Sequence, residues 1–331
     1  MFHRPLLRLG ALVSGVALAM GLTAPVAHAQ EETDQDSFNA LIFSKTAGFR
    51  HDSIPYGVSL IEELADEHGF TTEHTEDSSV FNEEDLAEFD AVIWLSTTGD
   101  VLDEDEQAAF EDYVQDGGGY TGVHAASDTH YDWDWYGDLV GAYFASHPPG
   151  TQDAEVMVND QVHPSTEGLP ALWERHDEWY DFDLSPRGDV HVLAGLDEES
   201  YEDEVDPAGQ MGWDHPIAWC QEFDGGRSWY TGGGHTIESF SEPEFADHLL
   251  GGIQWAAGAA EGDCGATEWD NFEKVTLAQG EEQMGEPMGL AVLPDGRALH
   301  TSRDGEVSLW DPDTYATETI AEIPVYNHDE D

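Results

Sequence analysis

The chain is expected to fold as an α/β domain on a mainly parallel sheet with helices on both faces. Three observations carry this. Uniform apolar runs such as Ala40–Ser44 and Ala91–Ser96 read as strands buried on both sides. Between them, apolar residues recur three and four apart, as at Ile54, Val58, Ile61, Leu64 and Ala65, and so share one helix face. Strand and helix then alternate, which predicts parallel strands joined by helical crossovers.

Each element follows in order. Ala40–Ser44 is the first strand. Ser53 is placed to cap the next helix, with Pro55 in its first turn and Gly69 as its stop. Phe70–Thr75 is a weaker strand, Glu83–Phe89 a short helix, and Ala91–Ser96 a buried strand. Asp103–Gln115 is a helix with Phe110, Tyr113 and Val114 inward, ended by Gly117. Tyr120–Val123 is the fourth strand. Further on, Glu155–Val158, His191–Leu196, Ile217–Phe223 and Ser228–Thr231 read as strands, the last two joined by a hairpin turn at Gly225-Gly226. Glu242–Ala257 is a helix closed by Gly258. Beyond Cys264, short strands such as Met288–Leu293, Ala298–Ser302 and Val307–Trp310 are split by tight turns, in the manner of one β-propeller blade.

Composition bounds the function. The 331 residues carry 71 Asp plus Glu against 10 Lys plus Arg, a formal net charge of −61. Such a surface repels nucleic acid and anionic lipid, so neither is expected as a partner. It reads as a surface adapted to high salt, where a Debye length of about 3 Å screens the self-repulsion. Residues 1–29, with Arg4, Arg8, an apolar run from Leu9 to Leu22 and Ala27-His28-Ala29, read as a signal peptide. The mature protein is therefore expected to be secreted, with no membrane attachment after cleavage. In that compartment Cys220 and Cys264 are expected to form a disulfide. Residues 30–38 and 261–270 read as linkers around a domain at 39–260, and 271–331 as an incomplete propeller segment.

The chemistry concentrates where strands end, since ligands of open α/β sheets sit at the carboxyl ends of the strands. His124 follows the fourth strand on a sharp turn, G-V-H-A-A, in the slot where many α/β enzymes present a Ser or Cys nucleophile. An imidazole there can serve as general base or metal ligand. His51 follows the first strand and His235 follows Gly232-Gly233-Gly234, so both can meet His124. Three imidazoles with an open position suit zinc or another borderline divalent ion. Asp177-Glu178-Trp179-Tyr180 sets two carboxylates beside two aromatics. On a strand Asp177 and Glu178 face opposite sides, so one can act as acid/base while the other is structural. Lys45, Asp128, Trp133 and Trp135 complete the candidate substrate-binding set. His147, His163 and His215 each precede proline and read as structural.

Phe43–His51, Gly117–His124, His163-Pro164, Asp177–Tyr180, His215-Pro216 and Gly232–His235 together resemble the ThuA-like (trehalose-utilisation) domain, over about Asn39 to Gly258. The resemblance implies a flavodoxin-like fold similar to class I glutamine amidotransferases, and a role in carbohydrate metabolism with a small sugar as ligand. Neither cysteine lies on a strand–turn–helix elbow, so thiol-based glutamine hydrolysis lacks its nucleophile. The segment from about Asn271 resembles the first blade of a glucose/sorbosone dehydrogenase propeller. One blade cannot enclose a quinone, so no quinone cofactor is expected, and its apolar strands invite self-association. Beside a sugar-active enzyme, two other readings stay open: a non-catalytic carbohydrate-binding module, and a fragment of a quinone-dependent sugar dehydrogenase.

Overall fold

The structure is a computed structural model that describes residues 37–202, 211–212, 214–265, 287–293, 297–311 and 316–324. The expected signal peptide lies outside the described residues, as does much of the second linker and of the segment after it. In chain order the elements are β1 (Asn39–Phe43), α1 (Ile54–His68), β2 (Thr71–Thr75), α2 (Glu83–Leu86), β3 (Ala91–Leu95), α3 (Glu104–Gln115), β4 (Gly119–Val123), α4 (Asp134–Val140), β5 (Phe144–Ser146), β6 (Gln152–Val158), β7 (Leu172–Asp177), β8 (Asp181–Phe182), β9 (His191–Leu196), β10 (His215–Phe223), β11 (Gly226–Thr231) and α5 (Pro243–Ala256). Among the described residues no helix is long and apolar enough to cross a membrane.

Nine strands form one sheet in the order β2-β1-β3-β4-β11-β10-β9-β6-β7. The first five are mutually parallel. From β10 onward each pairing is antiparallel, because β10 and β11 are joined by a two-residue hairpin instead of a helical crossover. That turn is Asp224-Gly225, both with positive φ, one residue earlier than the sequence suggested. The parallel half is the flavodoxin-like core. Its alternating side chains sort the helices onto two faces. Trp94 and Tyr120 pack on Phe110 of α3 and Tyr136 of α4. On the other side Gly57 of α1 lies against Leu95, and Gly252 of α5 against Trp229. A Cβ at either glycine would meet those side chains at 3.0 Å or less, so close helix–sheet approach selects glycine.

Local rules explain the helix ends. Asp103 caps α3 through a full capping box with Glu106, and three acidic residues occupy the first turn, where the helix dipole favours them. Gly69 ends α1 in the left-handed region at φ 81°. Ser53 precedes α1 but its hydroxyl makes no cap; it donates instead to the Gly234 carbonyl at 3.1 Å. That bond ties the loop after β1 to the loop after β11, the first sign that the strand ends are built as a unit.

The Cys220–Cys264 disulfide forms, joining β10 to the segment after α5 across a separation of 44 residues. In the chain-entropy account such a loop contributes about 4 kcal/mol. The C-terminal strands β12 (Pro287–Val292), β13 (Ala298–Ser302), β14 (Glu306–Asp311) and β15 (Ala316–Glu322) form a separate antiparallel sheet in chain order. Met288, Leu290 and Ile320 stand exposed on it.

Candidate functional site

Two adjacent strands end in strained residues. Ser96 after β3 has φ 48° and His124 after β4 has φ 50°, the left-handed region that costs a non-glycine residue roughly 1 kcal/mol or more. His124 is held there firmly. Its carbonyl accepts from Tyr230 Oη at 2.8 Å, and its Nδ1 lies 2.8 Å from the Gly232 carbonyl. A carbonyl can only accept, so Nδ1 carries the proton and Nε2 keeps its lone pair. Tyr180 packs over the ring, with centroids 4.2 Å apart.

Three side chains from other elements meet that lone pair. His235 Nδ1 is 3.2 Å from His124 Nε2, and Glu178 Oε2 is 2.9 Å from His235 Nδ1 and 3.6 Å from His124 Nε2. The His51 ring stands edge-on to both other imidazoles, with centroids 4.8 and 5.0 Å away. One ligand atom from each of His51, His124, Glu178 and His235 falls within 4.8 Å of all the others. Four segments far apart in sequence thus deliver three imidazoles and one carboxylate to one point. The centre is closed on the His51 and His124 side and opens past His235 and His147, whose side chains are 26% and 35% exposed.

Glu178 reaches the point because the end of β7 is tied to the loop after β11. It follows β7, the far edge strand, yet Asp177 before it accepts from the backbone of Gly234, His235 and Thr236 and from Ser239 Oγ, at 2.8 to 3.2 Å. The pairing of β9 with β10 is interrupted by register shifts at Pro216–Trp219. The loop after β11 must be glycine to fit. Gly234 has φ 110°, and a Cβ on Gly233 would lie 2.5 Å from Arg175 Nη1.

Electrostatics divides the four groups. Burial, reinforced by the neighbouring imidazoles, drops His51 to about 3, so it is neutral at working pH. Burial alone would lower His235, but its hydrogen bond to Glu178 and the carboxylate charge raise it. Burial likewise pushes Glu178 up, yet the hydrogen bond from His235 and the neighbouring imidazoles outweigh it and hold the carboxyl well below its usual range.

The remaining candidates sort cleanly. Tyr180 joins the centre, and Asp128 lies within electrostatic reach of His124, with its Oδ1 taken by Tyr131 Oη at 2.6 Å. Lys45 is spent on Ser78 Oγ and the Val101 carbonyl. Trp133 and Trp135 stack on each other and donate to Glu111 and Asp224, as packing residues outside the centre. Trp179 is 2% exposed and donates to the Gln152 carbonyl. Asp177 is fully buried behind the centre, its oxygens occupied by the glycine loop. His147, read as structural from its proline, instead lies 3.3 Å from Glu178 Oε1. No spacing signal in the sequence points to it. A cavity of about 770 Å³ between Leu86, Asp112, Tyr113 and Ala257 opens at the amino ends of β3 and β4. Among the described residues no imidazole or thiol lines it; the histidine cluster lies at the opposite edge of the sheet.

A flavodoxin-like α/β domain with a histidine–carboxylate centre at its carboxyl edge defines the class. Within that class, residues 39–256 match the ThuA family model, described as trehalose utilisation, and the chain belongs to that family. Among solved structures it is similar to a ThuA-like protein from Bacteroides uniformis, at 27% identity and TM-score 0.56, over 71% of this chain and 95% of that one. A ThuA-like protein from Parabacteroides merdae shares the fold at 20% identity and TM-score 0.55, over 67% and 90% of the two chains. No curated protein sequence matches the chain.

Proposed function

We propose that the protein is an exported sugar-active enzyme of carbohydrate utilisation, acting on a disaccharide such as trehalose or on a related keto-sugar. The observation that carries this is the convergence of His51, His124, Glu178 and His235 within 4.8 Å, in a domain whose family is described by trehalose utilisation. His124 is the pivot. Its Nε2 lone pair, fixed by the Nδ1 bond to Gly232, is available to a proton of a sugar hydroxyl or water, or to a metal ion. Glu178 supports the positive charge that develops on His235. Asp177 is a positioning residue, because it holds the backbone that carries His235. Tyr180 and the half-exposed His147 frame the approach. The acidic surface suits work at high salt, and the C-terminal four-stranded sheet offers its exposed apolar residues for self-association.

A screen of disaccharides, longer oligosaccharides and keto-sugars, with and without added divalent metals, tests this by product analysis. Turnover of at least one sugar is expected. Binding of sugars with no product under any condition would replace the enzyme with a carbohydrate-binding module.

A further inference from the structure

We propose that His51, His124, His235 and Glu178 are the ligands of one borderline divalent transition-metal ion, of the zinc type. The inference stands on this centre alone and holds whatever the substrate is. The closest ligand atoms, His124 Nε2, His235 Nδ1 and Glu178 Oε2, are separated by 2.9, 3.2 and 3.6 Å. Atoms bonded to one ion at about 2.0–2.2 Å in tetrahedral geometry lie roughly 3.4 Å apart, so the triangle is already an edge set of such a polyhedron.

Three further observations point to a cation. Among the described residues His51 Nδ1 is buried with no hydrogen-bond partner, a costly state for a polar atom. His124 is oriented through its other nitrogen by a backbone carbonyl, the arrangement that fixes the tautomer of metal-bound imidazoles. The other oxygen of Glu178, Oε1, lies 3.3 Å from His147 Nδ1, leaving Oε2 for the centre. A divalent cation replaces the proton that His235 Nδ1 donates to Glu178, and with three imidazoles and one carboxylate as donors it leaves a net positive centre able to bind an oxygen of substrate or water. The nitrogen-rich donor set favours zinc, iron, cobalt or nickel over magnesium or calcium. A second group of potential ligands, His163 with Cys220 and Cys264, is ruled out because its sulfurs are joined in the disulfide.

The test uses the full chain, stripped with a chelator and dialysed in molar NaCl with excess Mg²⁺, so that the acidic surface is saturated. Zinc is then titrated by equilibrium dialysis with elemental analysis, and Co²⁺ is added separately to read its visible absorption. Wild type is expected to retain one ion per chain, to melt at a higher temperature with zinc than without, and to give a Co²⁺ band of nitrogen–oxygen coordination. The His124→Ala and Glu178→Gln variants should lose at least about 100-fold in affinity. His176→Ala, on an exposed histidine of β7, should match wild type. Should a variant fail to fold, the wild-type stoichiometry and Co²⁺ spectrum decide alone. Wild type that retains no ion, or variants that retain it as tightly as wild type, would overturn the proposal, and neither result bears on sugar turnover measured separately.

Discussion

Chelator-treated protein in molar salt is expected to lose about 6 kcal/mol of folding stability between pH 7 and pH 5. The cause is three buried imidazoles held neutral. Burial lowers His51 to about 3, His163 to about 4 and His248 to about 3, from an ordinary value of 6.5. Each is at most 4% exposed, so solvent screens these shifts little. A depressed folded pKa gives stability that is complete above the unfolded value and lost as pH falls toward the folded one. Below about pH 6 the unfolded chain therefore binds three more protons than the folded chain, a slope of about 4 kcal/mol per pH unit. His235 works in the opposite sense. Its raised pKa gives stability that is complete below 6.5 and lost as pH rises through its folded value, so it adds no slope in the acid window. The depressed carboxyl of Glu178 matters only below its ordinary value of 4.5. Against a typical total of about 5–15 kcal/mol, the effect leaves the domain marginal at pH 5. Denaturant unfolding at the two pH values measures it directly, and equal midpoints at pH 7 and pH 5 would contradict it.

The Asp177→Ala variant is expected to be less stable by about 3–5 kcal/mol, a fall in melting temperature of roughly 10 °C. Asp177 is fully buried and accepts from three backbone N–H groups of the glycine loop, from Ser239 Oγ and, at 3.3 Å, from the Arg175 guanidinium. Removing it strands those donors around a fully buried position, and among the described residues leaves Arg175 with Glu242 as its carboxylate partner. The same change frees the backbone of His235, so the centre should lose its geometry at temperatures where the fold persists. Asp177→Asn retains one acceptor oxygen and should fall between the two. A melting temperature for Asp177→Ala within 2 °C of wild type, set against the expected roughly 10 °C, would show that the glycine loop is held by other means.

The parallel half of the sheet was legible because its signals are local. Ala40–Ser44 and Ala91–Ser96 are uniformly apolar, and the α1 face repeats at helical spacing. The strand β7 was not, although it alternates perfectly in burial. Its inward residues are Trp173, Arg175 and Asp177, and two charges on the buried face erase the hydrophobic alternation. Those charges are there for the centre, since they hold the loop that carries His235. His51, His124 and His235 were readable because each follows a strand at one sheet edge. The roles within Asp177-Glu178 were readable only as alternatives, because the strand period says that the two face apart and not which faces the histidines. His147 and the Ser53 tether to Gly234 are purely tertiary, and the proline after His147 pointed away from it. Trp133 and Trp135 mislead for the opposite reason: aromatics beside acids fit a sugar platform, yet here they fill space between α3, α4 and the β10–β11 hairpin.

In the function we propose, His124 performs chemistry on a sugar. The measurement that tests it most directly is the turnover rate of wild type against His124→Ala, on the sugar that the screen returns, with melting temperature recorded for both. The expected result is a loss of about 10²–10⁴-fold in rate while the variant remains folded. A folded His124→Ala protein that turns the sugar over at the wild-type rate would contradict the account.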